Sequence, residues 1–307
     1  MKQRFNPAQF LTLILFFSLL MIFSCVRENS QTSIDAQETE ASMASSEADG
    51  EAETIFSGIF DDVMGTSDEV GMQGIGVFGR GTATGSGRPF ACFTVTVTHT
   101  GPNAIGFPVR VVIDFGTAGC TSLDGHTRKG KIITEYTGRL IFAGSVASTT
   151  FDGFYIDGIH VEGTHRVENT STPNSTPASR QFTFDIINAR LTKPNGNYTE
   201  WNSHKVATQI EGLATLDYPR DDVFRLEGAS HGRTQRGNLL VAWESAITEP
   251  LIKKFNCHWI TKGKVRITRV NAAANSPWIA VIEFGNGDCD NQAVITINGV
   301  AHQITLH

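Results

Sequence analysis

Alternation of apolar and polar residues dominates the chain from residue 88 to its end. Phe93, Val95 and Val97 alternate with threonines, and the run at residues 265–268 has the same period of two. This period places the apolar side chains of a strand on one face of a sheet. Asp-Gly and Asn-Gly turn signals separate such runs, and no convincing long helix pattern follows residue 65. The pattern over residues 88–307 therefore predicts an all-β body of antiparallel sheets, either sandwich-like or stacked.

A helical period occurs only before this body. Apolar residues recur there as adjacent pairs every four positions, at Ile55-Phe56, Ile59-Phe60 and Val63-Met64. This spacing predicts one amphipathic helix over residues 51–66. We expect the helix to pack on the β body, and docking onto a partner or a membrane surface is the alternative.

Two segments flank the predicted helix and lack its pattern. Residues 25–50 are rich in Ser, Glu, Ala, Gln and Thr and almost free of large apolar residues, which predicts a disordered acidic tether. Residues 67–87 are rich in glycine and predict a connector. Their Gly74-x-Gly76-x-x-Gly79 formally matches a dinucleotide-binding motif, but further glycines follow where that motif requires a helix.

One phrase occurs twice in the body, at Val111–Cys120 and at Ala280–Cys289. Both copies contain an apolar strand, an acidic residue, Phe-Gly and a cysteine, and an earlier cysteine precedes each, at Cys92 and Cys257. The repeat indicates internal duplication. Four cysteines allow three disulfide pairings, and repeat symmetry favours Cys92 with Cys120 and Cys257 with Cys289. Each bond would add about 3–4 kcal/mol by loop entropy.

The acidic residues of the repeat, Asp114 and Glu283, end strands beside glycine turns. This placement predicts structural corners rather than catalytic groups. The Ser, Thr and Pro cluster near 170–180 is the best internal break. The body is therefore predicted to be one large domain or two packed halves.

The first residues have the features of an export signal. Lys2 and Arg4 precede an apolar run from Phe10 to Phe23, which is short for a membrane span and typical of a signal peptide. The run ends at Cys25 in a sequence that resembles a bacterial lipobox. Residues 1–24 are therefore predicted to be a lipoprotein signal peptide, with Cys25 as the lipidated, palmitate-bearing N-terminus of the mature chain.

Lipidation would also explain the odd number of cysteines. The chain has five, and using Cys25 for a lipid leaves four for disulfides. Removal of residues 1–24 would also take away two basic residues and change the formal net charge from −6 to −8. Residues 26–70 contain twelve acidic residues and one basic residue, so the acidity belongs to the leader and not to the body. This charge gives no support for nucleic-acid binding.

An ordered set of motifs in residues 88–307 resembles a family of uncharacterised lipoproteins from Bacteroidota. The motifs that carry the resemblance are Ile113–Gly116 with Cys120, Asp124–Ile132, Tyr136–Arg139, Val161–Thr164, Asp221–Phe224 and Gly285–Asn291. The resemblance implies export, a lipid anchor and a β-rich body. It implies no activity, cofactor or catalytic residue.

Local motifs for chemistry are weak. The polar turn Asn286–Asn291 has oxygen side chains suited to calcium, but it lacks the rest of a calcium loop, so no metal or other cofactor is predicted. Neither a serine-hydrolase elbow nor a zinc-protease helix motif is present. Adjacent acids at Asp221-Asp222 are typical of solvated turns. Tyr198 and Trp201 follow an Asn-Gly turn, and we expect this pair to be exposed as possible ligand contacts.

The sequence thus favours a lipid-anchored protein of the cell envelope, on the outer membrane, with a non-catalytic binding or structural role outside the inner membrane. The expected partners are the membrane, through the anchor, and a glycan or an envelope protein. The alternative is a glycan-acting hydrolase that uses carboxylates distant in sequence.

Overall fold

The computed structural model describes residues 35–61, 63, 92–102, 106–121, 125–172, 179–215, 221–270 and 278–306. Helix α1 comprises residues 35–61 and residue 63. The strands are β1 (Thr94–His99), β2 (Val109–Asp114), β3 (Cys120–Thr121), β4 (Thr127–Tyr136), β5 (Val146–Ile156), β6 (Ile159–Asn169), β7 (Gln181–Thr192), β8 (Tyr198–Glu211), β9 (Val223–Arg236), β10 (Leu239–Lys254), β11 (Ile260–Arg269), β12 (Ile279–Asn286), β13 (Gln292–Ile297) and β14 (Val300–Thr305).

All fourteen strands belong to one antiparallel sheet. Its order follows the chain from β1 through β2 and β4 to β14, while the short β3 pairs only with β4. The prediction of an antiparallel all-β fold preceded by one helix is confirmed. The pairing of β6 with β7 continues the sheet across the predicted break near 170–180, so the two halves share one sheet.

Glycines in left-handed conformations mark irregular positions within the strands. Gly163 in β6 has a φ of 116° where the β6–β7 register shifts, and a Cβ at this position would lie 2.7 Å from the Ala189 Cα atom. Gly263 in β11 has a φ of 118° and would approach the Leu251 Cα atom equally closely. Bulges of this kind bend a strand and increase the local twist. They suit a sheet that curves around a helix.

The chain divides into two compact units, residues 1–41 and residues 42–307. Only the helical residues 35–41 of the first unit are described. In the second unit, the part of α1 from residue 42 onward packs against the concave face of the sheet, and strands from β4 to β12 contact it. The helix fills the position that a second sheet would occupy in a sandwich.

The predicted disordered tether is wrong over residues 35–50, because this segment forms the first turns of α1. Most of its side chains from Ser42 onward are buried, including Ala44, Ala48 and Ser45. Two of its serines satisfy their hydroxyls within the helix, since Ser45 Oγ and Ser46 Oγ donate to the Ser42 carbonyl oxygen at 3.0 Å and 2.8 Å. Low hydrophobicity did not prevent burial here, because the sheet supplies the large apolar groups.

The predicted helix over residues 51–66 is helical at 51–61 and 63, and its apolar pairs lie in the core. Ile55, Phe56, Ile59, Phe60 and Val63 are all buried and belong to one hydrophobic cluster with the inner face of the sheet. The glycine connector over residues 67–87 and the predicted signal peptide with Cys25 lie outside the described residues.

Candidate functional site

The two copies of the repeated phrase lie around the end of β2 and along β12. Asp114 is the last residue of β2, as predicted, whereas Glu283 lies inside β12, so the prediction that it ends a strand is wrong. We call Cys92, Asp114 and Cys120 the first corner, and Cys257, Glu283 and Cys289 the second corner. Disulfides join Cys92 to Cys120 and Cys257 to Cys289, with Cα–Cα distances of 5.4 Å and 5.7 Å. This is the pairing that repeat symmetry favoured.

Each corner acid pairs with a lysine that lies between two carboxylates. Lys131 Nζ is 3.9 Å from Asp114 and 3.7 Å from Asp152, while Lys264 Nζ is 3.8 Å from Glu283 and 2.9 Å from Glu249. The first acid also caps its turn, because Asp114 Oδ1 accepts a hydrogen bond from the Gly116 backbone N–H at 2.9 Å. These contacts give both acids a structural part in their corners.

Residues next to the two corners meet in space, which the sequence did not indicate. His126, which follows the first corner, lies with its ring centroid 5.2 Å from that of His258, the neighbour of Cys257. His126 Nδ1 lies 2.6 Å from the Asp157 carboxylate, and Trp259 packs edge-on against His258. His126 and His258 also line a small cavity of about 10 Å³ against the helix. We call His126, Asp157, His258 and Trp259 the closing cluster.

The helix presents a glycine to the closing cluster. A Cβ at Gly58 would lie 3.0 Å from the His258 ring, so a larger residue would push the ring away from the helix. No sequence signal linked His126 and His258, which are far apart in the chain. Only the curvature of the sheet around α1 brings them together.

A buried carboxylate links the first part of the helix to three strands. Asp49 Oδ1 accepts hydrogen bonds from the indole N–H groups of Trp201 and Trp243, at 2.9 Å and 3.0 Å. The hydroxyls of Ser230 and Ser245 also donate to it, at 3.1 Å and 3.0 Å. Hydrogen bonds to a charged acceptor are stronger than neutral ones, so Asp49 fixes the helix against β8, β9 and β10.

The predicted exposure of Tyr198 and Trp201 is therefore wrong for Trp201. Its side chain is 1% exposed, because alternation on β8 directs it inward to Asp49. Tyr198 is partly exposed, and the Arg190 guanidinium lies 3.9 Å from its ring centroid. The structure separates the two residues, with one in the core and one at the surface.

Buried lysines form two further links between the sheet and the helix. Lys205 on β8 pairs with Glu53. Lys253 on β10 donates to Asp61 at 2.7 Å and to the carbonyl oxygens of Cys257 and His258. Burial raises the pKa of Asp61 to about 6, although the Lys253 charge opposes this effect. Lys253 therefore joins the end of the helix to the second corner.

Asp222, one of the two adjacent acids at Asp221-Asp222, is buried and contacts other side chains of the fold. Its carboxylate lies 3.4 Å from the Arg180 guanidinium and accepts a hydrogen bond from Gln209 Nε2 at 2.7 Å. Burial raises the pKa of Asp222 to about 7, against the opposing charge of Arg180. Asp221 is exposed, so the two acids do not share one site.

The second corner borders a polar cavity of about 200 Å³. Three carboxylates line it, from Glu283, Asp288 and Asp290, and none of its lining residues is aromatic. Within the described ranges, no group of three or more His, Cys, Asp or Glu side chains is arranged to hold a metal ion.

Comparisons with family models, with curated proteins and with solved structures found no match to this chain. In the described part of the chain, no helix combines the length and the apolar character needed to cross a membrane.

Proposed function

We propose that this chain is a lipid-anchored protein of the cell envelope with a non-catalytic binding or structural role outside the inner membrane. The basic residues before the apolar run at residues 10–23, together with Cys25, support export and lipidation. The two disulfides support an oxidising compartment, where such bonds persist. The anchor would attach the protein to the outer membrane.

One observation carries the binding or structural role. The concave face of the sheet is covered by the chain's own helix, through the Asp49 hydrogen bonds and the buried lysine pairs. A curved sheet commonly offers its concave face to a ligand, but this one uses that face to complete its core. A glycan or an envelope protein would therefore contact the outer surface or the strand edges.

The anchor is tested by metabolic labelling with a fatty-acid probe. The wild-type protein should be labelled and found in the membrane fraction, whereas Cys25→Ala should be unlabelled. Cys289→Ala is the matched control, since it removes a cysteine and should leave the label in place. Equal labelling of wild type and Cys25→Ala would defeat the lipoprotein proposal.

The partner is tested with the full mature chain on an array of envelope and host glycans, and by crosslinking in intact cells. Binding to one glycan class would identify the ligand chemistry. A reproducible crosslink to one envelope protein, without glycan binding, would assign a protein partner. If neither glycan binding nor a crosslink is observed, at protein concentrations that saturate the array surface, a binding role is contradicted and a structural role remains.

A glycan-acting hydrolase is the second candidate, and the polar cavity at the second corner is the observation in its favour. Two features count against it. The acids that line the cavity lie within a short stretch of chain, whereas the sequence-based alternative expected carboxylates distant in sequence, and the lining has no ring on which a sugar could stack. Turnover of a glycan that is lost in Glu283→Gln but retained in Glu249→Gln would favour the enzyme. Glu249 is the matched control because it contacts the same lysine without lining the cavity.

A further inference from the structure

A second cavity lies between the helix and the sheet and has a mixed lining. Its volume is about 30 Å³. Phenylalanine and other apolar side chains form part of the wall, together with Trp201. The polar part of the wall comes from both layers, and its residues are Glu53, Ser57, His165, Ser203 and Lys205.

His165 is the unusual member of this wall. It lies on β6, is only 2% exposed and packs between the rings of Phe56 and Phe184. Its Nδ1 atom has no hydrogen-bond partner among the residues that the structure describes. A buried polar atom without a partner is unfavourable, so such atoms are rare in folded proteins.

The protonation state of His165 determines which hydrogen-bond partners its ring requires. Burial lowers its pKa to about 3, and the neighbouring Lys205 charge acts in the same direction. The ring is therefore neutral at neutral pH. A neutral imidazole has one N–H donor and one nitrogen lone pair, so it requires one acceptor and one donor nearby. A water molecule supplies either.

We propose that this cavity holds two ordered water molecules that hydrogen-bond His165 and connect it to the Lys205–Glu53 pair. A water needs roughly 10–15 Å³ of such a cavity and two to four polar partners. The volume accommodates two, and the two serines and the ion pair provide the remaining partners.

Other occupants fit the cavity less well. The ammonium group of Lys205 disfavours a metal cation, and the volume is too small for an organic ligand. An empty cavity would be expected only if its lining were apolar throughout. The hydrated cavity would thus be a polar seam between α1 and β6–β8.

The test is a high-resolution crystal structure of the full mature chain, with a second crystal pressurised with xenon. The proposal expects two water peaks in the cavity, at least one of them within about 2.7–3.2 Å of a His165 ring nitrogen, and no xenon there. Xenon in the wild-type cavity, or the absence of water density beside His165, would overturn it.

A variant pair provides an independent readout in solution. In His165→Leu, the slow water-to-protein magnetisation transfer assigned to residues around the cavity should disappear. His231→Leu is the matched control, because His231 is exposed on β9, and it should leave this transfer unchanged. Persistence of the signal in His165→Leu at wild-type strength would contradict a water held by His165.

Discussion

The part of α1 from residue 42 onward has two halves, residues 42–53 and 54–63, which are both mostly buried but by opposite means. Residues 42–53 are mostly small or acidic, and the sheet supplies the bulk opposite them through Trp201 and Trp243. Residues 54–63 carry large apolar side chains of their own, such as Phe56 and Phe60. The first half is specified by hydrogen bonds and ion pairs, and the second half by shape and apolar area.

This difference explains why only one half was predicted as a helix. A helix that buries its own large residues shows them at helical spacing in the sequence. A helix that buries small residues against large partners leaves no such pattern, because the apolar residues lie elsewhere in the chain. Acidic residues strengthened the appearance of a solvated tether, although Asp49 is in the core.

The largest expected effect comes from removing the residues before Glu51, which make up most of the first half. A chain that starts at Glu51 lacks Asp49 and most of the small buried residues, so its sheet would expose Trp201 and Trp243 to water. We expect no cooperative thermal unfolding, measured by near-UV circular dichroism. A chain that starts at Asp35 keeps every described helical residue and serves as the control. Cooperative melting of the shorter chain at the same temperature would refute the role given to the first half.

Substitution of Asp49 tests the first half of the helix, because a single oxygen of this residue, Oδ1, accepts the hydrogen bonds from the sheet. Asp49→Ala leaves two indole N–H groups and two hydroxyls without their acceptor, and should lower the free energy of unfolding by about 3–5 kcal/mol. Asp49→Asn retains an acceptor oxygen and should lose less. Urea unfolding followed by tryptophan fluorescence measures both. A loss below about 1 kcal/mol in Asp49→Ala would show that the four hydrogen bonds are not essential.

Substitution of Ile59 is the matching test of the apolar half. Ile59→Ala leaves a cavity in a well-packed region and should lower the free energy of unfolding by about 2–5 kcal/mol. Leu240→Ala changes an exposed side chain and should stay within about 0.5 kcal/mol of wild type. If both variants lowered the free energy of unfolding by the same small amount, the second half would not be packed as described.

The pH dependence of stability tests the link at the end of the helix. Because burial raises the folded pKa of Asp61 from 3.8 to about 6, the folded state binds this proton more tightly than the unfolded state. The Asp61 contribution is therefore fully present below about pH 4 and is lost as the pH rises to about 6. Wild type minus Asp61→Asn should show this fall in chemical denaturation, by at most about 3 kcal/mol. A difference that rises with pH would reverse the assignment.

The smallest effect is expected at the rim of the polar half. Glu47 pairs with Arg236, but both side chains are about one-third exposed, so water and salt weaken the pair. Glu47→Gln should reduce the free energy of unfolding by less than about 1 kcal/mol, and added salt should diminish the difference. A loss as large as that of Asp49→Ala would remove the distinction between the rim and the buried carboxylate.

Local patterns predicted much of the β body. Alternation on β1 and β11 indicated strands, and the repeated phrase indicated the disulfide pairs Cys92–Cys120 and Cys257–Cys289. These features depend on residues close in sequence or on similarity between two copies. The inward direction of Trp201 was missed, because a period of two shows which residues share a face but not which face meets the core.

The sequence by itself determined the secondary structure of the body, the second half of the helix and the composition of the two corners. Tertiary structure alone decided that one sheet curves around α1, that Asp49 meets two tryptophans, and that His126 meets His258. The reason is physical. Strand period and turn chemistry are local properties, whereas the burial of a small or charged residue depends on partners that the chain delivers from more than a hundred residues away.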